Sequence, residues 1–113
     1  MHYLITEQER RTRKLGSCFF EFQRGAYRQE CWLEDSLLLD ADLFDSMKLY
    51  ELFRKALPEF NYYGLTTVTQ EQWEVLCCAA DAHSSQAAAL MAEMTPWAED
   101  CFRSDGLFTI CGI

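Results

Sequence analysis

The 113-residue chain is expected to fold as one small α+β domain, residues 1–113, with a largely antiparallel sheet of four or five strands and three or four helices. Three observations predict it. Short aromatic and β-branched runs, among them Cys18–Phe22, Tyr62–Val68 and Leu107–Ile113, have strand character. Other stretches place apolar residues at three- and four-residue spacing behind a capping residue, as amphipathic helices do. A chain of this length, half hydrophobic and 14% aromatic, supports one core and is too apolar to stay disordered.

Tyr3-Leu4-Ile5 opens the chain as a short strand or tether. Thr6 and Glu9 have capping-box spacing and start a short polar helix through Arg10–Lys14, which Gly16 breaks. Cys18–Phe22 and Tyr27–Leu33 then read as the two strands of a hairpin, with Arg24-Gly25-Ala26 as its turn. Asp40 or Asp42 caps one helix carrying Leu43, Phe44, Met47, Tyr50 (or Leu49), Phe53 and Leu57 on its apolar face, and Pro58 ends it. Tyr62–Val68 is the next strand. Thr69 and Gln72 form a second capping box for a helix through Trp73, Leu76, Cys77 and Ala80.

Ser84 or Ser85 caps an alanine-rich helix through Met91 and Met94, and Thr95-Pro96 is expected to start another, because proline is favoured at a first helical position. After the Asp105-Gly106 turn, the unbroken apolar run Leu107–Ile113 predicts an interior strand covered on both faces.

Charge narrows the function. Eighteen acids against ten bases give −8, and four of those bases cluster at Arg10, Arg11, Arg13 and Lys14, so the remainder is more acidic still. Binding to phosphate backbones depends on lysine and arginine releasing counterions, so direct nucleic-acid binding is not expected. A basic protein partner would be attracted instead. No stretch approaches the roughly 18 apolar residues of a membrane span. The opening Met1–Glu7 lacks the basic, apolar and small-residue segments of a secretory signal, and the six cysteines lie within or beside apolar runs. They read as free thiols, small core hydrophobes, in a reducing cytoplasm.

Catalytic patterns are absent from the spacing. His2 is almost terminal and His83 falls at a predicted helix end, where it reads as a C-terminal cap. A pairing of His83 with Cys77, Cys78 or Cys101 stays open, since such pairs need only meet in space, but nothing favours it. The vicinal Cys77-Cys78 does not have the spacing of a structural zinc site, and no Gly-rich run precedes a helix to cradle phosphate. No metal or cofactor is therefore expected.

The strongest functional signal is a run of six acids without a base between Glu30 and Ser46: Glu30, Glu34, Asp35, Asp40, Asp42 and Asp45. Trp32 and Leu37-Leu38-Leu39 lie inside it. Apolar anchors within a charged rim are a common way to build a protein interface, although the same residues can enter a core while the acids face water. Tyr62 and Tyr63 are a second candidate pair, expected on opposite faces of their strand. Trp97 is a third anchor or a core residue. The partner-binding set is thus Trp32, Glu34, Asp35, Asp40, Asp42, Asp45, Tyr62 and Tyr63.

Phe60-Asn61-Tyr62-Tyr63-Gly64-Leu65-Thr66, then Thr69-Gln70-Glu71-Gln72-Trp73, then Phe108-Thr109-Ile110-Cys111-Gly112-Ile113 form a pattern over the C-terminal half. It resembles small immunity proteins of bacterial contact-dependent growth inhibition and related polymorphic toxin systems. The resemblance implies a cytoplasmic, non-enzymatic protein that binds a cognate toxin domain and blocks its active site or an essential surface. Many such toxins are nucleases, whose basic substrate channels suit an acidic inhibitor. The N-terminal half carries no transferable pattern. Two other function classes remain in view: a small enzyme built around His83 or a cysteine, and an acidic adaptor or DNA mimic that binds several basic proteins.

Overall fold

Strands and helices are interspersed along residues 2–113, the part of the chain the computed structural model describes; Met1 lies outside the described residues. The elements run β1 (Leu4–Thr6), α1 (Glu7–Thr12), β2 (Phe19–Arg24), β3 (Leu37–Asp40), α2 (Ala41–Ser46), α3 (Leu49–Ala56), β4 (Leu65–Thr69), α4 (Gln70–His83), α5 (Ser85–Ser104) and β5 (Leu107–Cys111). One sheet of order β1-β3-β2-β5-β4 contains all five strands, each antiparallel to its neighbours. The α+β class holds, with five helices rather than three or four. No helix among the described residues is long and apolar enough to cross a membrane.

Register divides the sheet into two unlike faces. Leu4, Leu39 and Phe20 lie opposite one another in a row, as do Leu37, Phe22 and Ile110, and Phe108 and Val68. These side chains pack under the helices with Phe44, Leu49, Phe53, Leu76, Leu90 and Met94, and form the core. Because successive strand residues point to opposite sides, the other face carries Leu38, Glu21, Cys111, Gln23 and Thr109. It is covered by the segment between β2 and β3.

That segment corrects the expected hairpin. Tyr27–Leu33 is not a strand; β2 pairs with β3 instead, with Phe22 opposite Leu37 and Phe19 opposite Asp40. A strand between two neighbours in a covered sheet needs apolar residues on both faces. Leu37-Leu38-Leu39 meets that demand and is buried throughout, whereas Arg28-Gln29-Glu30 does not. The leucines therefore belong to the interior and are not partner anchors. The intervening chain bends through left-handed residues Gln29 (φ 66°) and Trp32 (φ 63°).

Side chains of the sheet hold this loop. Glu21 is only 2% exposed, and its carboxylate accepts from the Trp32 and Leu33 amides, both at 2.8 Å, and from the Ser36 hydroxyl at 2.7 Å. Gln23 Nε2 donates to the Glu30 carbonyl oxygen at 2.8 Å, and the Thr109 hydroxyl donates to that of Gly25 at 2.8 Å.

Both capping boxes form, Thr6 with Glu9 and Thr69 with Gln72, and Ser84 caps α5 through the Ala87 amide at 3.0 Å. Three helix boundaries differ from expectation, the first being α1, which ends at Thr12 before a left-handed Lys14 (φ 54°) and does not run through Lys14 to Gly16. The single helix expected after Asp40 is two, because Lys48 adopts a left-handed conformation (φ 56°, ψ 41°) between buried Met47 and Leu49. The bend lets Phe44 of α2 and Met47 at its C-cap enter the same core as Leu49, Leu52 and Phe53 of α3. Conversely, Thr95-Pro96 starts no new helix: α5 continues through it, with the Thr95 hydroxyl donating to the Met91 carbonyl oxygen at 2.7 Å. Leu90, Met91, Met94, Ala98 and Cys101 give α5 one continuous buried stripe, and this packing outweighs the local proline signal. β5 lies between β2 and β4, the interior position its apolar run predicts.

Removing the Glu21 carboxylate leaves three donors, the buried Ser36 hydroxyl and the part-buried Trp32 and Leu33 amides, without their acceptor. Glu21→Ala is expected to cost about 2–4 kcal/mol, read as a lower urea midpoint, and Glu21→Gln, which keeps one acceptor oxygen, is expected to cost less.

Candidate functional site

The predicted set falls into two groups on different parts of the molecule. Asp40 caps α2, Asp42 and Asp45 lie along it, and of the three only Asp45 meets the turn before β4 that carries Tyr62 and Tyr63. Asp40 is the N-cap of α2, its Oδ1 accepting from the Asp42 amide at 2.7 Å and the Leu43 amide at 3.3 Å. Asp42 is exposed in the first turn, where a negative charge is favoured by the unpaired helix amides. Asp45, one turn on, accepts the Tyr62 hydroxyl at 3.2 and 3.4 Å through its two carboxylate oxygens. Burial and the negative charge of Asp45 raise the Tyr62 pKa above the usual tyrosine value, which keeps the hydroxyl a neutral donor.

Tyr62 and Tyr63 lie in a turn, not on the strand expected there; β4 begins at Leu65. They nevertheless diverge. The Tyr62 ring packs edge-on against Phe20 (5.2 Å between centroids) and Phe44 (5.9 Å), while Tyr63 lies against Tyr62 at 4.9 Å and is 79% exposed. Tyr50 completes the aromatic surface at 6.0 Å from Tyr62, with Leu49 taking the buried position that spacing alone left between the two. These rings, with Asp45, Arg54, Phe60 and Asn61, line an open groove of about 360 Å³. The Arg54 guanidinium lies 6.0 Å above the Tyr50 ring.

The turn is clamped by the end of the chain. Asn61 donates its amide to the Thr66 hydroxyl at 3.0 Å, and its side-chain oxygen accepts from the Tyr63 amide at 3.0 Å. Gly112 donates to the Gly64 carbonyl oxygen at 2.7 Å, and Ile113 to that of Tyr62 at 2.8 Å. A Cβ at Gly112 would run into the Tyr62 carbonyl, so this approach requires glycine. Residues 61–64 and 112–113, two of the segments that carry the sequence resemblance, are thereby joined.

Glu34, Asp35 and Trp32 belong to the loop over the sheet's other face. Glu34 is paired with Arg11 at 2.6 Å and Asp35 with Arg28 at 3.4 Å. The Arg10 guanidinium stacks 4.0 Å above the half-buried Trp32 ring and pairs with the buried Glu7 at 2.7 Å. The acidic run is therefore not one patch. Part of the basic cluster is spent within the molecule, on Glu34 and Trp32. Trp97 is half-buried, in an edge-to-face contact with Phe108, and its indole N–H donates to the Asp35 carbonyl oxygen at 3.0 Å.

Sequence spacing missed Tyr50, Arg54 and Asn61. The available signal was the Tyr50/Arg54 spacing, which puts both on one helix face. His83 has Nε2 3.2 Å from the Met47 carbonyl oxygen, so in the tautomer that donates there it ties α4 to the end of α2. Among the described residues, no group of three His, Cys, Asp or Glu is placed to hold a metal ion. Comparison with protein-family models, curated proteins and solved structures gives no match.

The six cysteines are free, and they differ sharply in access. Three of them, Cys18, Cys31 and Cys78, are exposed and so depart from the core role expected of all six. Burial pushes the thiols of Cys77 and Cys101 up to about 11 and that of Cys111 up to about 12. At pH 8, alkylation of the folded protein is expected at Cys18, Cys31 and Cys78 well before the other three, because thiolate and access are both required. Peptide mapping by mass spectrometry reads the order directly.

Proposed function

We propose that this protein is a non-enzymatic, cytoplasmic immunity protein that binds a cognate bacterial toxin domain, a basic nuclease, and occludes its active site or substrate surface. The observation that carries the reading is the joining of the Asp45 carboxylate of α2 to an exposed tyrosine surface. Asp45 lines the groove with Tyr50, Tyr62 and Tyr63, Asp42 is exposed about one turn earlier on α2, and the chain carries −8 overall. Tyrosines offer large contact area at small entropic cost, and the acids supply steering and orientation toward a basic partner. Asp45 and Tyr62 are pre-positioned by their mutual hydrogen bond, so little ordering is left to the moment of binding.

The reading expects a secreted-toxin gene ending immediately upstream of this one. Co-expression with the C-terminal domain of that toxin should restore growth and yield a stable one-to-one complex. Association should slow about ten-fold or more on going from low to high salt, and reversing Asp42 and Asp45 to lysine should slow it further at low salt. Binding of several unrelated basic DNA-binding proteins with similar affinity would favour the adaptor or DNA-mimic reading instead. An active toxin domain that is neither bound nor neutralised would overturn the proposal.

A further inference from the structure

A second groove, sharing no lining residue with the first, runs between α4 and α5 and encloses about 400 Å³. Along α4 it is lined at residues 70, 73, 74, 77, 78 and 81, a stripe recurring every three or four positions. At 1.5 Å per residue the stripe is about 16 Å long, or three helical turns. Its apolar part consists of Trp73, Cys77 and, from α5, Phe102. Its rim carries the exposed carboxylates of Glu74, Asp81 and Glu99, and no basic residue lines it. Among the described residues none of these three acids forms an ion pair, unlike Glu7, Glu34, Asp35 and Asp100.

α4 commits Trp73, Leu76 and Ala80 to the core and packs the half-buried Cys77 partly against it, while Cys78 extends the groove surface outward and is exposed. The convergence of the acids is also felt by Cys77, where their charge adds to burial in raising the thiol. The tyrosine groove is different in kind, since Arg54 lines it.

We infer that the α4–α5 groove docks a cationic amphipathic helix of about three turns from a protein partner, its apolar side chains seated over the half-buried Cys77 and Phe102, above the buried Trp73, and its lysines or arginines between Glu74, Asp81 and Glu99. The two helices present a trough into which a third helix packs by ridges and grooves, and the acids on both banks select the sign of its flanks. This surface does not depend on the toxin-inhibitor reading and stands or falls separately.

A synthetic leucine–lysine peptide with amphipathic helical spacing serves as the probe, with a scrambled peptide of equal composition beside it. The amphipathic peptide is expected to bind, and more tightly than the scrambled one. Bound peptide should slow alkylation of Cys78 while leaving Cys18 and Cys31 unchanged. The shape-preserving triple variant Glu74→Gln, Asp81→Asn, Glu99→Gln should weaken binding by about ten-fold, as expected from losing three partly screened charge contacts. Neutralising three acids elsewhere, Glu30→Gln, Glu51→Gln and Glu59→Gln, should cost about three-fold or less through the general field alone. Equal losses in the two variants, equal binding of the scrambled peptide, uniform protection of all three thiols, or no binding would each overturn the inference. The thiol footprint is read on the unaltered protein and stays decisive even if a variant folds poorly.

Discussion

The Glu21 carboxylate lies in the middle of a five-stranded sheet, almost without access to water, and is satisfied by three donors from a single loop. Much of the molecule's architecture follows from this arrangement. A charge buried there is tolerable only with its hydrogen bonds made, so Trp32, Leu33 and Ser36 must lie directly over β2. Once they do, Leu38 and Cys111 are covered as well, and the sheet acquires a second, thinner layer made of loop instead of helix. All the helices that build the main core then share the opposite face. The loop's outer charges, Glu34 and Asp35, are left beside Arg11 and Arg28, which is why two of the six acids in the run are internally paired.

The same constraint explains where the sequence could be read and where it could not. Caps are local: Thr6/Glu9, Thr69/Gln72, Ser84 and Asp40 declare themselves within four residues, and all are found. The interior position of β5 was legible because continuous apolarity has one economical explanation. The partner of β2 was not legible. Tyr27–Leu33 has strand composition, but its backbone is held by the side chains of Glu21 and Gln23, a pattern that leaves no periodic trace. The bend at Lys48 and the continuation through Pro96 are likewise decided by distant packing, which overrules propensity at single positions.

Of the candidate site, the acids of α2 and the tyrosine pair were named from composition, but their meeting depends on contacts 17 residues apart in sequence and on a glycine at the far end of the chain. Glu34 and Arg11 are 23 residues apart, so their neutralisation was invisible in a linear charge count. The α4–α5 groove was hidden for another reason. Its acids, Glu74, Asp81 and Glu99, occur in two helices and look like ordinary solvated positions until the helices are laid side by side.

Strand order has a consequence for how this protein comes into being. β2 is made early and β5 last among the strands, yet they are neighbours, and β4 joins the sheet solely through β5. Closing the loop from Arg24 to Phe108 costs entropy that no nearby contact repays. Until β5 is made, β2 and β4 have no shared neighbour, and until Gly112 and Ile113 follow it the turn bearing Tyr62 and Tyr63 lacks its clamp. Tyr62 can meet Phe20, Phe44 and Asp45 as soon as the turn is synthesised, but the backbone bonds that clamp the turn must wait for about fifty further residues, as expected of a sheet closed by its last strand.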